Sequence, residues 1–260
     1  MKILKLLICT GLLCFVFTGC SRKDNYKSWE YYRGDPGANC YSGLDQINKD
    51  NVRDLQPAWV FRTGDAGDGN RSTIECNPII IDGIIYFTSP QLKLYALDAA
   101  TGTEKWIFNP FGESEARDVN RGVAYWREGN DKRILFPAYN RLYAINAETG
   151  EPVATFGNKG YIDLREGLDR NPEEIYVAGT TPGVVYKDLY ITGHSTTEGD
   201  GAAPGHIRAF NIRTGKIEWT FHTIPHPGEE GYDTWKNPEG WKIFGGANDW
   251  AGMALDRERG

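Results

Sequence analysis

No stretch of this sequence keeps an amphipathic helical period for more than two turns, which argues against a helical core. It has no glycine-rich phosphate-binding loop and no His-Glu-x-x-His, and no Ser/His/Asp arrangement stands out, so three common catalytic plans lack their residues. Positive charge is in deficit. Against 35 Asp and Glu there are 29 Lys and Arg, and the net −6 argues against a nucleic-acid partner and offers no basic face to a membrane. The apolar run from Leu6 to Phe17 is 12 residues long, short of the roughly 20 that a comfortable membrane span takes.

That run instead has the form of an export signal. Lys2 and Lys5 precede it and small residues follow it, so residues 1–19 are expected to direct the chain out of the cytoplasm. The ending Phe17-Thr18-Gly19-Cys20 resembles a bacterial lipoprotein signal, with Phe17 where leucine is usual. That resemblance implies lipidation of Cys20, a polar tether over 20–28, and a domain anchored to the membrane on the periplasmic or outer face without spanning it. Ordinary secretion and an uncleaved anchor are the alternatives. Once the signal and Cys20 are set aside, Cys40 and Cys76 remain, and the sequence is consistent with a disulfide or with two free thiols.

What the chain has in quantity is glycine and aromatics: 31 Gly, 14 Tyr and 8 Trp in 260 residues, a composition that favours all-β architecture. One phrase is written three times, as LYALDAATGTEKW (94–106), LYAINAETGEPVA (142–154) and IRAFNIRTGKIEW (207–219). Its Thr-Gly pairs begin at 101, 149 and 214, so the intervals are 48 and 65 residues. Repetition on that scale marks a propeller or solenoid. Each copy reads as a half-buried strand, a Thr-Gly turn and a second strand. Further strands flank the copies. Ile79-Ile80-Ile81 and Ile84 to Phe87 are joined by Asp82-Gly83, a strong hairpin signal, and Val184 to Tyr186 and Leu189 to Thr192 repeat the pattern. In the second unit Ile134 to Phe136 runs into Leu142 to Ala144.

Four antiparallel strands per unit make a β-propeller blade, and about three blades are expected within 29–260. Pro57 to Arg62 reads as a lone closing strand, and Ala251 to Leu255 as the first strand of a fourth blade with Asp256 to Gly260 as its turn. Long loops over 109–120, 158–178 and 222–248 are where binding groups are expected on such a scaffold.

Several segments go beyond a generic propeller. Trp29 to Asp65, STIECNP (72–78), DVNRGVAYW (118–126), EGDGAAPGHIRAF (198–210) and GGANDWAGMALD (245–256) together resemble the pyrroloquinoline quinone (PQQ)-dependent alcohol and glucose dehydrogenases. The resemblance implies an incomplete N-terminal part of an eight-bladed propeller that holds PQQ and calcium, oxidises an alcohol or sugar, and passes electrons to a quinone or cytochrome. PQQ is a flat orthoquinone with three carboxylates, so its site calls for an aromatic floor and cationic and hydroxyl contacts. By resemblance Trp250 is that floor, Arg121 points its planar fork at the cofactor oxygens, Glu75 hydrogen-bonds PQQ, and Thr180 and Ser195 supply hydroxyls. Glu198, in a Ser/Thr/Gly-rich loop, matches a calcium ligand, a role that suits a hard oxygen donor. The methanol-oxidising members carry adjacent cysteines where this chain has Ala116 and Arg117, which favours the sugar or broad-alcohol branch.

The resemblance also implies that the catalytic base, an Asp, and a further calcium ligand lie downstream of Trp250, beyond Gly260. On that reading the chain is truncated before its catalytic Asp. The alternative is a non-catalytic propeller lipoprotein that scaffolds envelope assembly. His222 and His226 have the spacing of helical metal ligands, but Pro225 argues against a helix there, and no metal site is expected at that pair.

Overall fold

The computed structural model describes residues 28–259 apart from Arg71, Arg117 and Asp200. The expected signal over 1–19, Cys20 and most of the tether lie outside the described residues. The rest is built from β-strands, joined by short 3-10 turns and a single four-residue helix, α1 (Gly240–Ile243).

Blade one is β1 (Ile79–Ile81), β2 (Ile84–Thr88), β3 (Leu94–Asp98) and β4 (Glu104–Phe108), antiparallel and in chain order. Its first hairpin is the expected one. Ile81 faces Ile84 across Asp82 and Gly83, both with positive φ (49° and 78°), as a tight two-residue turn between twisted strands requires. Blade two is β5 (Ala124–Glu128), β6 (Asp131–Ala138), β7 (Arg141–Asn146) and β8 (Tyr161–Asp163). After the two-stranded ribbon partner β9 (Val177–Ala178), blade three comprises β10 (Val184–Tyr186), β11 (Leu189–Thr192), β13 (Ile207–Asn211) and β14 (Ile217–Phe221). The remaining strand, β12 (Ser195–Thr196), pairs with β9.

The repeated phrase is a single turn design. In blade one the Asp98 carboxylate accepts hydrogen bonds from the backbone N–H groups of Ala100 and Thr101, and the Gly102 N–H closes back on the Asp98 carbonyl. Asn146 plays this part before Gly150, and Asn211 before Gly215. The residue three before each Thr is therefore as much a part of the motif as the Thr-Gly pair.

These turns also join the blades. Trp106 of β4 lies on Gly150 of the next blade, where a Cβ would come within 2.8 Å of the indole, and its Nε1 donates to the Ala147 carbonyl at 3.1 Å. Trp59 does the same to Gly102 and the Ala99 carbonyl. A large ring needs a turn without a side chain beneath it, so Trp and Gly form a bracket between blades.

Blade two is buried on both faces, with the period-2 alternation that requires. Ile134 and Phe136 of β6 and Tyr143 and Ile145 of β7 pack with Ile79, Leu94 and Ala96 of blade one. The intervening Leu135, Leu142 and Ala144 pack with Tyr190, Phe210 and Ile212 of blade three. Each fully buried Leu, Ile or Phe among them contributes about 1.5–3 kcal/mol.

Three expectations differ from the structure. The second strand of the phrase in blade two does not follow its turn. Pro152 makes an isolated bridge to Ile145, the chain then leaves the sheet, and the fourth strand forms only at β8. A proline has no N–H for the ladder. Residues 57–62, expected as a closing strand, are irregular and anchored by Trp59, with no partner strand among the described residues. Ala251 to Leu255 forms no strand either, but runs beside the N-terminal segment, with the Leu255 N–H bonded to the Pro36 carbonyl. Cys40 is an exposed free thiol, and Cys76 is free, half-buried, and accepts from the Thr88 N–H.

Candidate functional site

The segments that enter the first strand of each blade converge, and the expected residues lie on them. Arg121 is fixed by its backbone between two blades: its N–H donates to the Thr180 carbonyl and its carbonyl accepts from Asn77, both at 2.8 Å. The preceding Asn120 is buried and shapes the loop from within. Its Oδ1 accepts from the Thr88 hydroxyl and the Gly122 N–H, and its Nδ2 donates to the Pro137 carbonyl. Gly122 is required for close approach, since a Cβ there would meet the Asn77 carbonyl oxygen at 3.0 Å and Tyr32 at 3.2 Å.

From this anchor the Arg121 guanidinium reaches Glu75, Nη2 to Oε2 3.2 Å, and lies 5.4 Å from the Trp250 ring centroid. Glu75, Arg121 and Trp250, 175 residues apart from first to last (250 − 75), thus form one group. Trp250 is 54% exposed, so its indole still offers surface to a ligand.

The strand-like segment carrying Trp250 is laid against blade three along a seam of glycines. A Cβ on Gly245 would stand 1.9 Å from the Ala202 carbonyl oxygen, one on Gly205 2.2 Å from that of Gly246, and one on Gly193 2.5 Å from that of Asp249. None of these three glycines has positive φ; they are needed for closeness alone. The seam is held by Gly246 N–H to the Ala203 carbonyl, Asn248 Nδ2 to the His194 carbonyl and the Thr181 hydroxyl to the Trp250 carbonyl. His194 beneath it is buried, and its Nε2–H donates to the Pro204 carbonyl at 2.9 Å. Burial first, and then the Arg208 charge, push its pKa down to about 3, so it stays neutral.

The two adjacent threonines meet the group in different ways. Thr180 contributes a backbone carbonyl to Arg121, and it is Thr181 whose hydroxyl touches the Trp250 segment. Ser195 stands on β12 opposite Ala178, two residues before Thr180, in the ribbon beside the group. Glu198 is exposed, and its carboxylate has no ion pair or hydrogen bond among the described residues. Among the described residues no hydrogen bond or ion pair joins it to Glu75, Arg121 or Trp250. Asp118, three residues before Arg121, was not anticipated; burial raises its pKa against the lowering pull of the Val119 N–H and Arg121. Tyr32 was also unforeseen, and packs against both Gly122 and Gly252.

An exposed indole, a guanidinium held over it, a carboxylate at the rim and hydroxyls behind suit a flat, polyanionic aromatic ligand. Residues fitting PQQ are therefore assembled. A calcium ligand set is not assembled around Glu198 among the described residues.

Comparison with known proteins agrees with this chemistry. The profile of the PQQ family, described as glucose/ethanol/alcohol dehydrogenase, beta-propeller domain, matches residues 29–260. The chain is 32% identical over 249 residues to the quinoprotein glucose dehydrogenase of Escherichia coli K12, covering 88% of this chain and 31% of that protein. It is also 32% identical over 233 residues to a quinohemoprotein alcohol dehydrogenase of Pseudomonas putida, covering 84% and 31%. Among solved structures, a quinohemoprotein alcohol dehydrogenase of Pseudomonas putida HK5 superposes with a TM-score of 0.69 at 28% identity, over 90% of this chain and 33% of that one. The chain spans about a third of the length of these relatives. The repeated blades, the grouped Glu75, Arg121 and Trp250 and the match over 29–260 lead to one assignment: this chain belongs to the PQQ-dependent glucose/ethanol/alcohol dehydrogenase β-propeller family.

Proposed function

We propose that this chain supplies the PQQ-binding wall of an exported dehydrogenase that oxidises an alcohol or a sugar. The observation that carries the reading is the Arg121 guanidinium poised 5.4 Å from an exposed Trp250 indole and 3.2 Å from Glu75. A scaffold propeller has no use for that grouping. Trp250 would stack under the cofactor, Arg121 would pair with its oxygens, and Glu75, Thr180, Thr181 and Ser195 would orient it. When bound, PQQ supplies the orthoquinone that takes up hydride from the alcohol carbon. Arg121 is set for negative charge by its fixed backbone, and the glycine seam holds Trp250 to the same frame.

The finer parts of the reading extend from the resemblance. Glu198 is the side chain we assign to Ca²⁺, from an exposed loop whose carboxylate is available to a cation. The proton-accepting Asp lies outside this chain, on a protein in which further blades complete an eight-bladed ring. Electrons leave for a quinone or cytochrome, and a lipidated Cys20 keeps the domain at the membrane surface. On this reading the chain by itself shows little or no turnover.

The test is equilibrium binding of PQQ to the full-length product, with and without Ca²⁺, followed by quenching of tryptophan fluorescence. Trp250→Ala should weaken binding about 10-fold, the value of one lost stacking contact of about 1.5 kcal/mol. Arg121→Lys should weaken it as well, because an ammonium cannot copy the planar fork. A correctly folded wild type that binds no PQQ would sink the reading.

A further inference from the structure

The loop after β14 and the end of the ribbon region bring together four side chains that the PQQ wall does not use. Asp169, His206, His222 and His226 each present one ligand atom, and the four atoms lie within 4.8 Å of one another. The Asp169 carboxylate sits at the centre of the arrangement, its Oδ2 3.7 Å from His206 Nε2 and 4.0 Å from Nε2 of both His222 and His226. The helix that Pro225 excludes is indeed absent, and an irregular loop brings the two histidines together with their rings parallel, 3.7 Å between centroids.

Two features mark this as more than a histidine-rich surface. His206 is 1% exposed, and neither of its ring nitrogens has a hydrogen-bond partner among the described residues. A buried imidazole left with both nitrogens unpaired is costly, and a ligand at Nε2 would satisfy one of them. Second, Glu229 is placed as a carboxylate that orients a ligating histidine. Its Oε1 takes the Nδ1–H of His222 at 2.7 Å, which directs the unprotonated Nε2 into the cluster, while its Oε2 takes the His226 N–H at 2.7 Å. A carboxylate on the far nitrogen is the arrangement that fixes the tautomer of metal-bound histidines.

We propose that Asp169, His206, His222 and His226 bind one divalent transition-metal ion, with zinc the best fit, as a structural clasp. Three imidazoles and one carboxylate suit zinc, copper or nickel, and not calcium, which prefers oxygen throughout. Four protein ligands with no position left open make the site structural in type. Zinc–ligand bonds of about 2.0–2.1 Å put tetrahedral ligand atoms about 3.3 Å apart. From separations of 3.7–4.8 Å each atom therefore moves inward by under about 1 Å, and the stacked His222 and His226 rings must splay. The clasp ties three places together: Asp169 in the loop before β9, His206 at the start of β13, and the 222–244 excursion. Arg170 already holds that excursion through the Trp241 carbonyl, 2.9 Å from Nη2, and the excursion leads directly into Gly245–Trp250. Metal would thus stiffen the approach to the Trp250 platform.

The test uses the full-length protein, stripped with a chelator and titrated with Zn²⁺ against a chromophoric competitor, with Co²⁺ as a spectroscopic substitute. The expected result is one ion per chain, a raised Tm, and the intense visible bands of four-coordinate Co²⁺. Glu229→Gln should weaken affinity about 10–100-fold. His226→Gln, at a partly exposed position, should weaken it further while the protein stays folded. Folded wild type that takes up no stoichiometric zinc overturns the proposal, as does unchanged affinity in a His222→Gln/His226→Gln double variant. A six-coordinate Co²⁺ spectrum would overturn it as well. None of these readouts depends on PQQ.

Discussion

Gly205→Ala is a clean probe of how the Trp250 platform is held. Gly205 does not have positive φ, so alanine fits its backbone and any effect is steric. The new Cβ would stand 2.2 Å from the Gly246 carbonyl oxygen and 2.6 Å from both N and Cα of Asn248. Ordinary contact begins near 3.4 Å, so the 245–250 segment must lift by about 1 Å. Lifting it strains the Gly246 bond to Ala203 (3.0 Å) and the Asn248 bond to His194 (2.8 Å). Two hydrogen bonds at about 1 kcal/mol each give about 2 kcal/mol. For a chain of this size that lowers Tm by about 4–8 °C, and a cofactor whose binding requires the segment in place should bind about 30-fold more weakly. Differential scanning calorimetry and PQQ titration of the same preparation measure the two effects separately. Unchanged melting and unchanged affinity would refute the close-seam argument. A lowered Tm with wild-type affinity would show that the seam does not set the position of Trp250.

Further outcomes follow from the same geometry. Gly150→Ala meets both the left-handed backbone (φ 77°) and the Trp106 indole at 2.8 Å, so it should cost about 2–4 kcal/mol in urea unfolding. Gly129→Ala, with φ 56° and open space, should cost only the backbone part, about 1–2 kcal/mol. Asn120→Ala strands the buried Thr88 hydroxyl, the Gly122 N–H and the Pro137 carbonyl, and should cost about 2–4 kcal/mol while loosening the Arg121 loop, seen as faster amide exchange at Gly122. His194 has a folded pKa near 3 against about 6.5 when unfolded, so below pH 6.5 the unfolded chain binds the extra proton. Stability contributed by this residue is present above pH 6.5 and is lost as pH falls toward 3. Between pH 7.5 and 5 the loss is about 2 kcal/mol, and His194→Gln should flatten that part of the pH–stability curve.

The hairpin at Asp82-Gly83 was legible because its turn, its alternation and its length all agree locally. The blade-two fourth strand was not, because the proline after the second Thr-Gly ends the pairing and the chain resumes it only at Tyr161, with nothing local to announce the return. Ala251 to Leu255 has strand composition, but a strand needs a partner, and here the neighbour is the irregular segment around Pro36. Of the candidate site, Glu75, Arg121 and Trp250 were named through resemblance to a family, and the fold brings the three together. Thr180 lies in the segment that meets the group, through its carbonyl to the Arg121 N–H, and the hydroxyl that reaches the Trp250 carbonyl belongs to its neighbour Thr181, a contact that leaves no local trace in the sequence. Asp169, His206 and the 222–226 pair come from three separate segments, and only the paired spacing left a trace in the sequence.

The tryptophan brackets give the chain a direction. Each bracket joins unlike halves, an indole and the bare glycine turn of the blade that follows it, so it is a knob and a socket rather than a self-complementary patch. Blade one's socket is already filled by Trp59 of the same chain. Trp219, the counterpart of Trp106 on β14, is 42% exposed, with Ile217 and Phe221 exposed beside it. On the proposed reading that further blades follow, β14 presents the knob half of the next bracket, and the bare glycine turn of an adjoining blade is the socket it fits.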